Sequence, residues 1–277
     1  MATAAQQTRG RTTDSQDEEL PLIIDYHLHT KASRDGTGDF VDFIKEAMKK
    51  RIDEIGFSEH LLDSPARPTD FMDGYVQRFL EVKKDSGIPI RLGAEVDYFP
   101  DQTETIRELL RKYPFDYVIG SIHFLDNWPV DSFKQMELCF KRDILQVYKD
   151  YFGTVRMLCK SRLFDTLGHA DVVKIFGFKP NCDITAMLEE NADAIAENDI
   201  CVEINTAGLE RRCAEIYPSK QFLELLKKRD VPITLGSDAH RPQDVGRSFD
   251  KAFELIEAVG FTHLCTFEER KRRSISI

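Results

Sequence analysis

The sequence has no apolar run that approaches the ~20 residues of a transmembrane helix, and its first residues lack the hydrophobic stretch of a secretory signal. Its six cysteines are dispersed without a Cys-x-x-Cys pair, which argues against a disulfide framework. Acidic residues outnumber basic ones, because the chain has 48 aspartates and glutamates and 38 lysines and arginines, which gives a formal net charge of −10. Nucleic-acid binding depends on clustered cations, so we expect a cytosolic protein with a small substrate, and neither a membrane nor a nucleic acid as its partner.

What the chain does contain is an alternation of short β-like runs and amphipathic helical stretches, which is typical of βα units around a parallel sheet. Residues 1–20 have almost nothing to bury, and we expect a disordered tail there. Residues 21–277 are then predicted to form a single catalytic domain. The predicted strands are seven in number and span 22–28, 54–58, 90–96, 117–122, 166–169, 201–205 and 233–237. The predicted helices span 40–52, 103–111, 133–159, 184–197, 221–228 and 245–259.

Six of the seven histidines lie at or just beyond the carboxyl ends of these strands, together with two acidic residues. The eight residues are His27, His29, His60, Glu95, His123, His169, Asp238 and His240. Because the carboxyl ends of strands in a parallel barrel converge on one face, residues far apart in sequence would meet there. The pattern predicts one pocket lined by imidazoles and carboxylates.

Two of these histidines occur in the segment Asp25-Tyr26-His27-Leu28-His29. Side chains alternate along a strand, so Asp25, His27 and His29 are predicted to share one face. Two imidazoles on one face can bind one metal ion, and Asp25 is predicted to orient a ligand by accepting its other N–H. A lone histidine more often satisfies an internal hydrogen bond, whereas a His-x-His pair favours metal binding.

Two carboxylates accompany the histidines. Glu95 lies in an otherwise apolar strand, where an unpaired carboxylate would be costly to bury and metal coordination would offset that cost. Its two oxygens would allow it to bridge two ions. The segment Ser237-Asp238-Ala239-His240 offers a carboxylate and an imidazole two residues apart, although a helix-capping aspartate followed by a surface histidine would look the same.

Taken in order, Asp-x-His-x-His, Glu-His, a strand-end Glu, two isolated strand-end His residues and a final Asp-x-His resemble the PHP family, named after polymerase and histidinol phosphatase. The segments Gly-Ser-Ile-His-Phe-Leu-Asp (120–126), Glu-Ile-Asn-Thr-Ala-Gly-Leu (203–209) and Glu-Ile-Tyr-Pro-Ser (215–219) are similar to its histidinol-phosphate phosphatase branch. The resemblance implies an α/β fold, a distorted (β/α)7 barrel with its metal site at the carboxyl ends of the strands. It also implies metal-dependent hydrolysis of the phosphomonoester L-histidinol phosphate to L-histidinol and phosphate.

The same resemblance implies two or three divalent metal ions, for which a mixed nitrogen and oxygen shell suits Zn, Fe or Mn. The implied ligands are His27, His29, Glu95 and Asp238 for one ion, Glu95, His123 and His169 for a second, and His60, His240 and Asp35 for a third. Some members of the family carry His where this chain has Asp35. Catalytic roles are expected for Glu95, Asp238 and His240.

Substrate contacts are expected from basic and aromatic residues near the same strand ends. Arg211 and Arg212 follow the loop after the sixth strand and are the first candidates for binding phosphate, with Lys174 as the second. Trp128, the only tryptophan, is expected to line the pocket, although an aromatic plug over the barrel mouth is an alternative. The basic run 270–273 reads as a solvated tail.

Three other functions are compatible with parts of this pattern. A PHP-type phosphoesterase could act on a nucleotide or a nucleic-acid end. An amidohydrolase-like enzyme shares the His-x-His of the first strand, but Glu95, His60 and Asp35 favour more metal ions and a phosphate substrate. A domain kept only for metal binding or protein interaction is disfavoured, because every expected ligand position holds a side chain that can bind metal.

Overall fold

A computed structural model describes residues 22–62, 71–126, 128–136 and 141–277. The tail predicted for residues 1–20 lies outside them. Seven parallel strands form one sheet, and they follow one another in the sheet in the same order as in the chain. These strands are β1 Ile24–Leu28, β2 Glu54–Leu62, β3 Ile90–Asp97, β4 Tyr117–Ser121, β7 Thr166–Leu167, β8 Cys201–Asn205 and β9 Ile233–Gly236.

The sheet is a nearly closed barrel, because its two edge strands meet at their carboxyl ends. The backbone N–H of His29 donates to the carbonyl of Ala239 at 2.9 Å, and that of Ala239 donates to His27 at 3.1 Å. Each of the seven predicted strands overlaps an observed strand. The predicted α/β fold with a seven-stranded barrel is confirmed.

Tyr117 fills part of the barrel interior. It pairs in register with Gly93, two residues before Glu95, and its hydroxyl donates to the Tyr26 carbonyl at 2.6 Å. A Cβ at Gly93 would lie 2.3 Å from the Tyr117 ring, so a larger residue there would clash with it. Because Gly93 and Glu95 face the same side of β3, the Tyr117 ring lies one side-chain layer below the Glu95 carboxylate.

Helices follow the strands and cover the sheet. Their bounds are α1 Phe40–Lys49, α2 Met72–Lys83, α3 Thr103–Leu110, α4 Ile144–Ser161, α5 Thr185–Glu197, α6 Lys220–Lys227 and α7 Phe249–Val259. Asp39 caps α1, in a capping box with Asp42. None of the described helices combines the length and hydropathy that a membrane span requires.

Two helix predictions need correction. The helix predicted over 133–159 begins at Ile144, because Asp143 caps it by accepting from the N–H of Leu145 at 3.0 Å, and 133–135 form a separate 3-10 turn. No helix was expected over α2. Its buried residues nevertheless recur at helical spacing, as Met72, Tyr75, Val76 and Phe79.

Two antiparallel pairs lie outside the barrel sheet: β5 Phe124–Leu125 with β6 Trp128–Pro129, and β10 His263–Glu268 with β11 Lys271–Ser276. The basic run 270–273 is not the tail that was predicted, because it leads into β11, although Lys271, Arg272 and Arg273 are exposed as expected. Arg270 pairs with Asp165 and donates to the Leu163 carbonyl at 2.7 Å, while Arg272 pairs with Asp199 at 2.7 Å. These ion pairs attach the basic run to the barrel.

Candidate metal centre

Glu95 lies at the centre of the histidine cluster and is almost fully buried. Its Oε2 atom is 2.9 Å from His60 Nδ1 and 3.3 Å from His27 Nε2. Its Oε1 atom is 3.0 Å from His169 Nε2 and accepts a hydrogen bond from the Ser121 hydroxyl at 2.6 Å. The two carboxylate oxygens therefore face different sets of imidazoles.

The ligand atoms around Glu95 form three groups, and within each group they lie within 4.8 Å of one another. The groups are His27, His29 and Glu95; Glu95, His123 and His169; and His29, His60 and His240. Asp238 adjoins the first group, because its Oδ1 is 3.6 Å from His29 Nε2 and 3.8 Å from His27 Nε2. The strand ends thus bring together the residues that the sequence singled out.

Asp35 is placed differently from the expected third set. Its Oδ2 lies 3.4 Å from His240 Nε2, and its side chain is 64% exposed. It belongs to none of the three groups, in which His29 accompanies His60 and His240 instead. The ring centroid of His29 lies 4.2 Å from that of His60 and 4.3 Å from that of His240.

Unsatisfied buried nitrogen atoms show that this donor set fits metal ions. Among the described residues, His27 Nε2 and both ring nitrogens of His29 are buried without a hydrogen-bond partner. Such atoms are costly in a folded protein unless something else binds them. Imidazole nitrogens beside carboxylate oxygens suit Zn, Fe or Mn. The donor set is therefore that of a centre for two or three divalent ions.

The electrostatics of the cluster favour the same occupant. Burial would raise the pKa of Glu95, but the imidazoles of His27, His60 and His123 outweigh it and hold that pKa well below its usual range. Burial and the neighbouring histidines lower the pKa of His29 well below its usual value, which keeps its ring neutral. Burial also opposes the charged form of His27, yet the carboxylates of Glu203, Asp238 and Glu95 raise its pKa well above normal. The carboxylates of the cluster therefore favour a positive charge at this place, which bound metal ions would supply.

Glu203 and Asp97, which the sequence did not single out, orient two of the histidines. Glu203 Oε1 lies 2.6 Å from His27 Nδ1, and Glu203 Oε2 accepts from the backbone N–H of His169 at 2.8 Å. Asp97 Oδ1 lies 3.0 Å from His123 Nδ1. A carboxylate on one ring nitrogen leaves the other nitrogen free to bind a metal. Both residues are acidic side chains in buried strands, the same signal that identified Glu95.

Asp25 does not play the orienting part predicted for it. Its carboxylate accepts hydrogen bonds from the backbone N–H and the hydroxyl of Ser237 at 2.9 and 2.5 Å, and from the N–H of Gly246 at 2.8 Å. Asp25 therefore attaches β1 to the loops that follow β9. Asp238 lies in that region with φ at 52°, an uncommon conformation for a non-glycine residue.

A cavity of about 660 Å³ opens above the cluster. Four arginines line it together with the histidines, namely Arg34, Arg211, Arg241 and Arg247. Arg241 and Arg247 also make ion pairs, with Asp244 and Glu210 respectively, both at 2.8 Å. Among the described acidic residues, none forms an ion pair with Arg34 or Arg211.

Of the four residues expected to contact substrate, the structure brings only Arg211 to this cavity. Arg212 is exposed and is not among the residues that line the cavity. The Lys174 ammonium is buried and engaged, by Asp171 at 2.9 Å, Glu215 at 3.2 Å and the Ile216 carbonyl at 2.9 Å. These contacts leave Lys174 no free donor for a phosphate.

Trp128 also differs from its expected placement. It is buried in the β5–β6 pair, and the guanidinium of Arg142 lies 4.4 Å from the centroid of its ring. Trp128 is not among the residues that line the metal cavity, whereas its neighbour Phe124 is. Contacts of this kind depend on how a loop folds back, which spacing in a sequence does not reveal.

Comparisons with family models, with related proteins and with solved structures agree with one another. The family model described as "PHP domain" matches residues 25–207, and one described as "PHP-associated" matches 220–251. A protein of Deinococcus radiodurans named "Probable histidinol-phosphatase" is 31% identical over 257 residues, covering 90% of this chain and 98% of that protein. "Histidinol-phosphatase" of Bacillus subtilis is 28% identical and covers 83% and 98%. The solved structure of histidinol phosphate phosphatase from Lactococcus lactis, complexed with zinc, L-histidinol and phosphate, has a TM-score of 0.77 at 24% identity, covering 91% and 98%.

Proposed function

Because the chain belongs to the PHP domain family, we propose that its metal centre hydrolyses L-histidinol phosphate to L-histidinol and phosphate. One observation carries the proposal: three groups of metal ligands meet around Glu95 beneath a cavity lined by arginines. The relatives named histidinol-phosphatase, which this chain matches over most of its length, support the choice of substrate.

The chain's own residues can perform the required tasks. His27, His29, Glu95, His123, His169, Asp238, His60, His240 and Asp35 are the proposed ligands, with catalytic roles for Glu95, Asp238 and His240. Divalent ions held there would supply Lewis acidity to the phosphoryl oxygens and to the attacking water. Arg211 would bind and orient the phosphate from the rim of the cavity.

Direct attack by water is the expected route, because the imidazoles that line the cavity are proposed metal ligands and not free nucleophiles. Among the described residues that line it there is no serine, threonine or cysteine to act as a nucleophile, and Ser121 is buried with its hydroxyl bonded to Glu95. Asp131 also lines the cavity. Its carboxylate complements the ammonium group of an amino alcohol, whereas Arg34 and Arg211 complement its phosphate.

A substrate comparison tests the proposal directly. The protein loaded with Zn, Mn or Fe should hydrolyse L-histidinol phosphate with a kcat/KM about a hundredfold above that for nucleoside monophosphates, because binding of the ammonium and imidazole groups adds to binding of the phosphate. Steady-state release of inorganic phosphate provides the measurement, with single-stranded DNA and an N-acyl amino acid as further substrates. A higher kcat/KM on the nucleotide, the DNA or the amide would contradict the proposed substrate.

The two consecutive arginines offer a matched pair of variants. Arg211→Ala should raise the KM for the phosphomonoester by about tenfold, because a charge-assisted contact to the phosphate is lost. Arg212→Ala removes the same charge from a side chain outside the cavity and should leave KM within about twofold of the parent value. Equal KM values for the two variants would remove Arg211 from the phosphate site.

A further inference from the structure

A second cavity, again of about 660 Å³, lies between helices α4, α5, α6 and α7 and shares no lining residue with the metal cavity. About half of its lining residues are apolar, among them Tyr148, Phe152, Ile184, Leu188, Leu209 and Ile216, and the others are polar or charged. Concave sites of this volume that combine apolar walls with polar groups are typical of small-ligand pockets.

The acidic groups of this cavity are already engaged. Asp171 accepts from the N–H of Ser219 at 2.8 Å and pairs with Lys174, and Glu215 pairs with Lys174 and Lys179. Asp183 accepts from the backbone N–H of Thr185 at 2.9 Å. Each of these carboxylates has at least one partner, although Asp171 Oδ1 is buried without one and Asp183 is bonded through Oδ1 alone.

Hydrogen-bond donors, by contrast, remain free at the rim. Lys220 is 61% exposed, and its ammonium lies 3.9 Å from Glu224, too far for a hydrogen bond. Lys179 is 52% exposed and is engaged by Glu215 alone, which leaves two of its three donors free. The exposed ammonium groups of Lys179 and Lys220 therefore have donors available for an anionic ligand.

We propose that this cavity binds a small amphipathic carboxylate. The apolar body of the ligand would lie against Ile184, Leu188 and Leu209, and its carboxylate would be bound by Lys179 and Lys220. This proposal does not rest on the proposed function, because it requires only binding in the second cavity.

Two loops couple this site to the metal cavity. After β7, Asp171 and Lys174 line the second cavity, whereas Val172 and Ile175 line the metal cavity. After β8, Leu209 and Ile216 face the second cavity, and the neighbouring Arg211 and Tyr217 face the first. Because the same backbone forms one wall of each cavity, a ligand in the second should alter binding in the first, and the effect must be reciprocal.

Three indole compounds of nearly equal size test the charge preference. Indole-3-acetate, indole-3-acetamide and tryptamine would be titrated calorimetrically into the zinc-loaded protein, with saturating inorganic phosphate to block the metal cavity. We expect indole-3-acetate to bind at one site about tenfold more tightly than the amide, and tryptamine not to bind measurably. Failure of all three to bind, or equal binding by all three, would overturn the proposal.

Three variants locate the binding. Ile184→Trp fills the cavity and Lys220→Glu reverses a charge at its rim, so each should weaken binding of indole-3-acetate by about tenfold. Lys45→Glu makes the same charge change on the exposed face of α1 and should bind like the parent. Parent-like affinity in Ile184→Trp would rule out this cavity, and if that variant does not fold, the Lys220→Glu and Lys45→Glu pair decides. Indole-3-acetate should also shift the dissociation constant of phosphate by about twofold or more, and an unchanged constant would rule out the coupling.

Discussion

Glu95→Gln should lower kcat/KM for phosphomonoester hydrolysis by on the order of a thousandfold and reduce the metal content of the protein. The substitution preserves the size of the side chain but removes its charge. Glu95 is the carboxylate whose two oxygens face His27 and His60 on one side and His169 on the other. The glutamine amide has one oxygen acceptor and one N–H₂ donor. The histidines on one side would therefore face a donor in place of an acceptor.

Elemental analysis and steady-state kinetics on the same preparations measure both effects. Glu108→Gln makes the same change at an exposed position of α3 and should match the parent in metal content and turnover. A Glu95→Gln protein with full metal content and full turnover would disprove the bridging role. Thermal unfolding distinguishes a lost ligand from a lost fold, since the metal-free forms of parent and variant should unfold at similar temperatures if only the ligand is missing.

The barrel strands could be predicted because each is a short apolar run bounded by polar turns, and because βα units alternate along the chain. Their carboxyl ends carry the histidines for a topological reason, which needs no knowledge of side-chain contacts. The helices were less certain. α2 was missed although Met72, Tyr75 and Phe79 recur at helical spacing, and the start of α4 depends on a capping contact of Asp143. Local contacts of that kind are weakly encoded in periodicity.

Glu203 could have been found by an argument already used for Glu95. Both are acidic residues in buried strands, where an unpaired carboxylate is costly. For Glu95 the expected compensation was metal binding. For Glu203 it is hydrogen bonding to the His27 ring, the His169 backbone and the Asn205 amide, the first two of which come from other segments of the barrel. The cost of burial is therefore readable from a sequence, whereas the identity of the compensating partner requires the fold.

For the basic residues, the sequence does not show even which ones are buried. Lys174 and Arg211 both follow barrel strands, and nothing in the local sequence separates a buried structural cation from one that faces a ligand. The structure separates them through partners distant in sequence, because Glu215 and the Ile216 carbonyl engage Lys174. Arg34, Arg241 and Arg247 lie in other loops. The conformations of those loops bring them to the cavity, and the sequence does not reveal these conformations. Predictions of the phosphate site were consequently weaker than those of the metal site.

Glu203→Gln should weaken metal binding and lower kcat/KM by about 10- to 100-fold, even though Glu203 itself is no proposed ligand. Both of its oxygens act as acceptors, Oε1 towards His27 Nδ1 and Oε2 towards the N–H of His169. Glutamine can accept at one of these positions only. If its oxygen stays with His169, its N–H₂ group faces His27 Nδ1, which must then accept, and the ring proton moves to Nε2.

That tautomer removes the lone pair which His27 Nε2 would offer to a metal, and Nε2 lies 3.3 Å from Glu95 Oε2 in the centre of the cluster. Nitrogen-15 NMR of the imidazoles reports the tautomer separately from activity, and competition with a chelator reports the metal affinity. Glu197→Gln, at an exposed position at the end of α5, serves as the matched control and should change neither. Weaker metal binding with an unchanged His27 tautomer would show that Glu203 acts through its charge alone. Unchanged metal binding would mean that the hydrogen bond to His27 does not position the ring.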